Sequence, residues 1–244
     1  MKKLYQNYNS VFLDRKGRVV KIFKDDFCWR NETRSNPLFR AGGIPCPEIL
    51  QSRHLVNVYP YFTQQSYTSQ IKNETKLEEL VKMALKIGEL PPQGFYSFSG
   101  YSEKLVREAE RLIEQGVINP ELLNKLRRLS EVYSCEDKRV THGDFRPDNI
   151  LGQDEISAVI DLEFSGVNDP HKDLAYLWVG CVEREKESNH FLKRRFSQID
   201  FFNPTSFLFW QAYVHVMIML NPLNQNKQQW GENLAKLIEN VGRK

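Results

Sequence analysis

The first sixty residues alternate apolar and polar positions in short runs, a pattern typical of β-strands arranged around one helix. Two of these runs are joined by the turn Asp14-Arg15-Lys16-Gly17, whose final glycine is typical of a hairpin. An amphipathic stretch follows and ends at Gly42-Gly43, where a helix is expected to stop. An extended segment at 48–50 comes next, and Pro60 ends the last strand. The pattern predicts strands at 10–13, 18–24 and 54–59 and a helix at 26–40.

Beyond residue 68 the apolar positions recur every three to four residues, as expected for helices that bury one face. The β-rich segment 139–161 interrupts this pattern. Pro120 stands at the first position of one helix, and Asn119 is its predicted N-cap. The predicted helices are 77–90, 101–115, 120–133, 172–185, 191–198, 205–220 and 228–241.

Composition excludes several classes of protein. The 244 residues are 41% hydrophobic and 27% charged, which is ordinary for a globular protein, and the net charge of +3 is too small to indicate nucleic-acid binding. The longest apolar stretch, 207–220, contains Gln211 and His215 and is too short to span a membrane. Four cysteines without C-x-x-C spacing indicate reduced thiols and a cytoplasmic protein. No pattern indicates an obligate protein partner.

Two polar segments carry the residue types that phosphoryl transfer needs. The first reads T-H-G-D-F-R-P-D-N-I-L and places Asp144 and Asn149 five positions apart on one loop, which His142 is expected to brace by hydrogen bonds. The second, A-V-I-D-L-E, places Asp161 directly after a predicted strand at 156–160. Phosphoryl transfer needs a carboxylate that orients the acceptor hydroxyl and hard oxygen ligands that hold Mg²⁺ on the phosphates of ATP. Asp144 is therefore the predicted catalytic carboxylate, and Asn149 and Asp161 are the predicted metal ligands.

The pattern H-x-D-x-x-x-x-N resembles the catalytic loop of the protein-kinase superfamily. His-Gly-Asp together with Ile-Asp-x-Glu is similar to the aminoglycoside phosphotransferase and choline kinase branch of that superfamily. The resemblance implies a bilobal kinase-like α+β fold, with a small β-rich nucleotide-binding lobe at 1–64 and a larger, mainly helical lobe at 65–244. It also implies an ATP- and Mg²⁺-dependent enzyme that phosphorylates a hydroxyl group of a small molecule.

Three further residues are predicted at the nucleotide site: two that contact the nucleotide and one that pairs with the phosphate-binding lysine. Lys21 in V-V-K-I-F is similar to the ATP-phosphate lysine of the superfamily, because alternation places it between two apolar residues on its own strand face. Lys24 is the alternative. Glu32, eleven residues after Lys21, is the predicted ion-pair partner, although two aspartates lie nearby. Tyr61, at the start of the segment that joins the lobes, is the remaining predicted nucleotide contact.

The resemblance also assigns roles around the catalytic loop. H-G-D-F-R-P-D-N parallels H-R-D-L-K-P-E-N, so Arg146 would offset charge on the transferred phosphoryl group. The alternative is a surface arginine paired with Asp148. In the segment D-P-H-K-D-L-A, Asp173 is expected to anchor the loop and Asp169 to cap a helix. The glycine-rich hairpin that usually covers the phosphates is missing, because segment 4–10 contains no glycine.

The acceptor is the least defined part of the prediction. Aromatic residues such as Trp178 and Trp210 would suit a quaternary ammonium or thiazolium group, but they are also typical of a helical core. The net positive charge favours an uncharged or weakly cationic acceptor over a polycation. An acidic pocket built from Glu163, Asp169 and the helix end 183–187 would reverse that preference.

Three alternatives to a general small-molecule kinase remain. A protein kinase is disfavoured, because only twelve positions separate Asp161 from Asp173 and leave no room for a segment that docks a peptide. A nucleotide-binding pseudokinase is disfavoured by the complete set of Asp144, Asn149 and Asp161. An aminoglycoside-resistance kinase is the third alternative, and the sequence does not exclude it.

Overall fold

A five-stranded antiparallel sheet forms from the first sixty residues, with the strands in the order β1-β2-β3-β5-β4. The strands are β1 (Lys2–Gln6), β2 (Ser10–Leu13), β3 (Arg18–Ile22), β4 (Gln51–Arg53) and β5 (Val56–Pro60). The short polar strand β1 was not predicted, because a two-residue period cannot be recognised in five residues that pair only at the sheet edge. On β3 the predicted alternation is confirmed: Lys21 and Phe23 are buried, and Ile22 is exposed.

The helices follow the predicted pattern, with ends that differ by at most four residues. They are α1 (Asp26–Ala41), α2 (Glu74–Gly88), α3 (Tyr101–Glu114), α4 (Pro120–Val132), α5 (His171–Val182), α6 (Ser188–Phe196), α7 (Pro204–Leu220) and α8 (Lys227–Leu237). Capping explains where two of them begin. The Asn119 side chain accepts the Leu122 N–H at 2.9 Å at the start of α4, as predicted. Helix α2 begins earlier than predicted, because Asn73 caps it by accepting the Thr75 N–H at 2.8 Å.

This computed structural model describes residues 2–6, 9–182, 184–239 and 241. The chain divides into two compact units, the first of Met1–Phe98 with Lys138–Arg195 and the second of Ser99–Asp137 with Phe196–Lys244. The predicted lobe boundary at 64–65 lies inside the first unit, so a division at that point stays a prediction.

The first unit contains the sheet, α1 and two small antiparallel pairs of strands. These are β6 (Arg139–Thr141) with β9 (Gly166–Asn168), and β7 (Ile150–Gly152) with β8 (Ile156–Val159). Helix α1 packs against the short 3-10 turn Leu162–Phe164, and α5 packs against a second 3-10 turn, Pro147–Asn149. The two turns carry or flank the residues of the predicted site, so the packing of α1 and α5 determines where those residues lie.

The second unit is a bundle of α3, α4, α7 and α8 around an aromatic core. Trp210 is completely buried, and its ring lies 4.6 Å from that of Tyr101 and 5.2 Å from that of Tyr213. Trp210 is therefore a core residue, as in the second of the two alternatives that the sequence left open for it. None of the helices in the described part of the chain is long and apolar enough to cross a lipid bilayer.

Candidate active site

The catalytic loop predicted from the sequence lies between β6 and β7, and Asp173 at the start of α5 anchors it. The buried Asp173 carboxylate accepts the backbone N–H of His142 at 2.6 Å and that of Gly143 at 2.8 Å. His142 Nε2 lies 2.9 Å from the Ile160 carbonyl and must donate to it, so its Nδ1 is free to accept the Asp144 N–H at 3.3 Å. Burial lowers the pKa of His142, which favours this neutral form. The bracing roles predicted for Asp173 and His142 are confirmed.

Gly143 allows the loop to touch the 3-10 turn that follows Asp161. Its φ of +87° lies in the left-handed region, and a Cβ at this position would stand 2.0 Å from the Phe164 carbonyl oxygen. No residue with a side chain could occupy this position without moving one of the two segments. Phe164 itself is 39% exposed.

The Asp144 carboxylate is held by two neighbours on its own loop. Asn149 Nδ2 donates to the Asp144 backbone carbonyl at 2.9 Å and to its carboxylate at 3.0 Å. Arg146 Nη2 donates to the same carboxylate at 3.0 Å, while Arg146 Nε lies 2.8 Å from the other oxygen without the alignment of a hydrogen bond. Burial raises the pKa of Asp144, and the Arg146 charge opposes that rise. The alternative partner of Arg146, Asp148, pairs with Arg184 at 2.8 Å instead.

The β7–β8 hairpin brings Asp161 back to the catalytic loop. The Ile160 N–H donates to the Asn149 carbonyl at 3.0 Å. Asp161 directly follows Ile160, so this bond holds it close to the catalytic loop. Asp161 has φ +69° and ψ +56°, a left-handed conformation that it shares only with Leu55 among the described non-glycine residues. Such a conformation costs about 1–3 kcal/mol and is most often found at functional sites. The backbone conformation therefore supports a functional role for Asp161 independently of its motif.

Lys21 lies at the centre of three carboxylates. Its Nζ lies 2.6 Å from Glu32 Oε2 and 3.1 Å from Glu163 Oε2, and it also donates to Asp161 Oδ1. Burial would lower the pKa of Lys21, but the carboxylates of Asp161, Glu32 and Glu163 offset this and raise it well above its usual value. The predicted Lys21–Glu32 ion pair is present, and Lys24 is exposed. The role of the pair in nucleotide binding stays a prediction.

The same cluster contains hard oxygen donors that could hold a metal ion. Glu32, Asp161 and Glu163 each offer a carboxylate oxygen, and these oxygens lie within 4.8 Å of one another. Burial and the neighbouring Asp161 charge raise the pKa of Glu163 to about 7, because one ammonium does not neutralise three carboxylates. Asn149 uses its amide nitrogen on Asp144, and its Oδ1 accepts no hydrogen bond from the described residues. Excess negative charge and a free amide oxygen suit a small divalent cation.

Two residues of this cluster were missed from the sequence. Asn9 Nδ2 donates to Glu163 Oε2, and Tyr59 Oη donates to Glu32 Oε1. Asn9 belongs to the segment without glycine, in which Asn7 and Tyr8 lie outside the described residues. Both missed residues are polar and buried: Tyr59 lies on β5, and Asn9 directly precedes β2. Polar residues at inward-facing positions in and beside strands are the signal that would have identified them.

Two other candidates lie apart from this cluster. Tyr61 is 47% exposed, and no hydrogen bond or ion pair joins it to the residues around Lys21 in the described part of the chain. Its contact with the nucleotide stays a prediction. Trp178 is partly buried on α5, and its indole donates to Asn189 Oδ1 at 3.1 Å.

Comparisons with known proteins agree on one family and one fold. The sequence profile of the phosphotransferase enzyme family matches residues 8–207. No curated protein sequence matches the chain. A choline/ethanolamine kinase family protein from Mesorhizobium loti is 16% identical, with a TM-score of 0.71 over 98% of this chain and 87% of the other.

Two aminoglycoside phosphotransferases have the same fold. A GDP and kanamycin complex of the APH(2″) type is 17% identical, with a TM-score of 0.71 over 98% of this chain and 91% of the other. A thermostable APH(4)-Ia mutant in complex with ADP and hygromycin B is also 17% identical, with a TM-score of 0.71 over 99% of this chain and 94% of the other. The predicted kinase-like α+β fold is confirmed.

Proposed function

The chain belongs to the phosphotransferase enzyme family, and on that basis we propose that it transfers the γ-phosphoryl group of ATP to a hydroxyl group of a small molecule, with Mg²⁺ as cofactor. As a member of this family it is a small-molecule phosphotransferase. The nucleotide, the metal, the acceptor hydroxyl and the residue roles are our proposals.

One observation carries the proposal: Asp144, Asn149 and Asp161 share a hydrogen-bonded framework, and Asp161 also pairs with Lys21. A phosphate-binding cation, a candidate metal ligand and a candidate base are thereby linked within one compact unit. The solved relatives were found with GDP and ADP, which supports nucleotide binding in this fold.

The donor set fits Mg²⁺, because the oxygens of Asp161 and Asn149 are hard ligands beside an excess of negative charge. Asp161 and Asn149 would hold the ion, which when bound would offset the negative charge of the phosphate oxygens. Lys21 would contribute a fixed positive charge to the same phosphates. Glu32 would keep Lys21 oriented, since the pair is buried and the two groups lie 2.6 Å apart.

Asp144 would orient the acceptor hydroxyl and accept its proton. In the reaction the acceptor oxygen forms a bond to the γ-phosphorus, the bond from that phosphorus to the β–γ bridging oxygen breaks, and ADP leaves. The Arg146 guanidinium donates a hydrogen bond to the Asp144 carboxylate. It would therefore lie close to the transferred phosphoryl group and offset negative charge there. The raised pKa of Asp144 suits a group that must accept a proton.

Three of the acidic residues suggested as a pocket for a polycationic acceptor already have partners, and Glu187 is exposed. Glu163 pairs with Lys21, Asp169 Oδ1 lies 2.6 Å from His171 Nδ1, and Glu185 lies 3.3 Å from Lys72. Glu183 lies outside the described residues. Together with the net charge of +3, these contacts support an uncharged or weakly cationic acceptor. The relatives that bind kanamycin and hygromycin B keep aminoglycosides among the compounds to be tested.

A screen of Mg²⁺-dependent ATP consumption against aminoglycosides, choline, ethanolamine, thiamine and sugar alcohols tests the proposal. With the best acceptor, Asp144→Asn should lower kcat about 100- to 10,000-fold, because the base is lost, and should leave nucleotide binding largely intact. Asp154→Asn makes the same chemical change at an exposed position on the β7–β8 turn and serves as the control. Near-normal kcat for Asp144→Asn would refute its assigned role.

A further inference from the structure

The inner face of the sheet carries a row of polar side chains beside Lys21. Asn57 on β5 stands directly opposite Lys21 on β3, and Ser52 on β4 stands directly opposite Asn57. Asn57 is completely buried. A sheet face covered by a helix is normally apolar, because burying polar groups costs free energy unless every one of them is hydrogen-bonded. Asn57 and Tyr59, which are buried polar residues on the same face as Lys21, therefore need an explanation.

Hydrogen bonds run through this row in one direction and end on Glu32. The Trp29 indole donates to Ser52 Oγ at 3.2 Å, and Ser52 Oγ donates to Asn57 Oδ1 at 2.7 Å. Asn57 Nδ2 then donates to Tyr59 Oη at 3.0 Å, and Tyr59 Oη donates to Glu32 Oε1. An ionised carboxylate can only accept, so Glu32 sets the direction, and Tyr59 donates to it. Tyr59 accepts from the Asn57 amide nitrogen, which leaves Asn57 Oδ1 to accept from Ser52. We call Ser52, Asn57 and Tyr59 the polar relay.

The relay supports only one of the two oxygens of Glu32. Oε1 accepts from Tyr59, while Oε2 lies 2.6 Å from Lys21 Nζ. The remaining N–H of the Asn57 amide is also used, because Thr33 Oγ1 lies 3.1 Å from Nδ2. With both ends of the carboxylate held, Glu32 is fixed in the rotamer that contacts Lys21. Its burial at 3% exposure leaves no water to replace the Tyr59 bond.

Lys21 has three N–H donors and uses them on three carboxylates, so it must release one of them before it can bind a phosphate. Asp161 is the most exposed of the three, with 38% of its side chain accessible. Glu32 is held by Tyr59, and Glu163 is held by Asn9. Because Tyr59 and Asn9 hold the other two carboxylates in place, Asp161 is the one that Lys21 is expected to release.

We propose that Tyr59 and Asn57 are positioning residues, which hold Glu32 on Lys21 while the lysine exchanges Asp161 for a phosphate of the nucleotide. The inference rests on the proposed function, because it concerns the same nucleotide site. Without the Tyr59 hydroxyl, Glu32 loses one of its two supports and Lys21 shifts toward Asp161, where it competes with the phosphate. Nucleotide binding should weaken, while the chemical step and acceptor binding should change little.

Tyr59→Phe tests this, since it removes one hydroxyl and keeps the ring. We expect the KM for ATP to rise about five- to tenfold, with kcat within about threefold and the acceptor KM unchanged. Tyr67→Phe is the matched control: Tyr67 is also buried, and its hydroxyl donates to a different carboxylate, that of Glu79, at 2.7 Å. An equal rise in both variants, or no rise in Tyr59→Phe, would overturn the inference.

Ser52→Ala provides a second variant if Tyr59→Phe does not fold. Ser52 is exposed at the outer end of the relay, so its loss should be tolerated and should raise the KM for ATP about twofold in the same direction. An unchanged KM in Ser52→Ala would then count against the relay. Calorimetry of ATP binding distinguishes a failure of the proposed function from a failure of this inference alone. Absent wild-type binding overturns the proposed function and this inference together, whereas wild-type affinity retained in Tyr59→Phe overturns only the inference.

Discussion

Replacing Asp173 with asparagine should destabilise the protein and slow turnover together. The Asp173 carboxylate is 3% exposed and accepts two backbone N–H groups, from His142 at 2.6 Å and from Gly143 at 2.8 Å. Asparagine has one acceptor oxygen, so its NH₂ group would face one of these donors. Both the hydrogen bond and the satisfaction of a buried N–H would be lost.

The magnitude follows from those two contacts. A hydrogen bond to a charged group contributes about 1.5–3 kcal/mol, and a buried donor left without a partner costs about 1–3 kcal/mol. Burial raises the pKa of Asp173, so neutralising it recovers part of the desolvation cost. We therefore expect a loss of ~2–4 kcal/mol in the free energy of unfolding. Because Asp144 follows Gly143 directly, a loop shift of about 1 Å should lower kcat roughly 100-fold.

Urea denaturation measures the first effect, and kcat at saturating substrates measures the second. Asp14→Asn is the control, because Asp14 also accepts two backbone N–H groups, from Lys16 at 2.8 Å and Arg18 at 2.9 Å, on a turn outside the catalytic loop. It should leave kcat unchanged. A stability loss below about 1 kcal/mol with kcat near the wild-type value would show that Asp173 does not anchor the loop.

Two further predictions address the metal and the second unit. Asp161→Asn keeps a residue that tolerates a positive φ but removes the charge, so it should abolish the Mg²⁺-dependent tightening of ATP binding in calorimetry; unchanged Mg²⁺ dependence would move the metal site elsewhere. Burial lowers the pKa of His215 from 6.5 to about 4, so between these pH values the unfolded chain takes up a proton that the folded chain does not. The His215 contribution to stability should therefore fall by up to ~3 kcal/mol as the pH drops from about 6.5 to about 4, and His215→Leu should reduce the pH dependence of the wild-type protein by that amount in denaturation curves at several pH values. An equal pH dependence in the variant and the wild-type protein would contradict this assignment to His215.

The polar loop at 142–149 could be recognised in the sequence because its residues are close together along the chain. Asp144 and Asn149 lie five positions apart, and the hydrogen bonds between them are local. Strand alternation likewise predicted the buried face of Lys21, since successive side chains on a strand must point to opposite sides. Except for β1, the order of strands and helices along the chain followed from the same short periods. The ends of the helices were less certain, because caps such as Asn73 add residues beyond the apolar pattern.

Only the tertiary structure decided which distant charges meet. Lys21 and Asp161 are 140 positions apart, and no periodicity of a few residues indicates that they share an ion pair. The same holds for Asn9 on Glu163 and for the row that joins Ser52 and Asn57 to Tyr59. Sequence alone therefore determined the elements and the local motif. The packing of α1 and the β7–β8 hairpin determined the electrostatics of the site, because Coulomb interactions depend on distance in space rather than on separation along the chain.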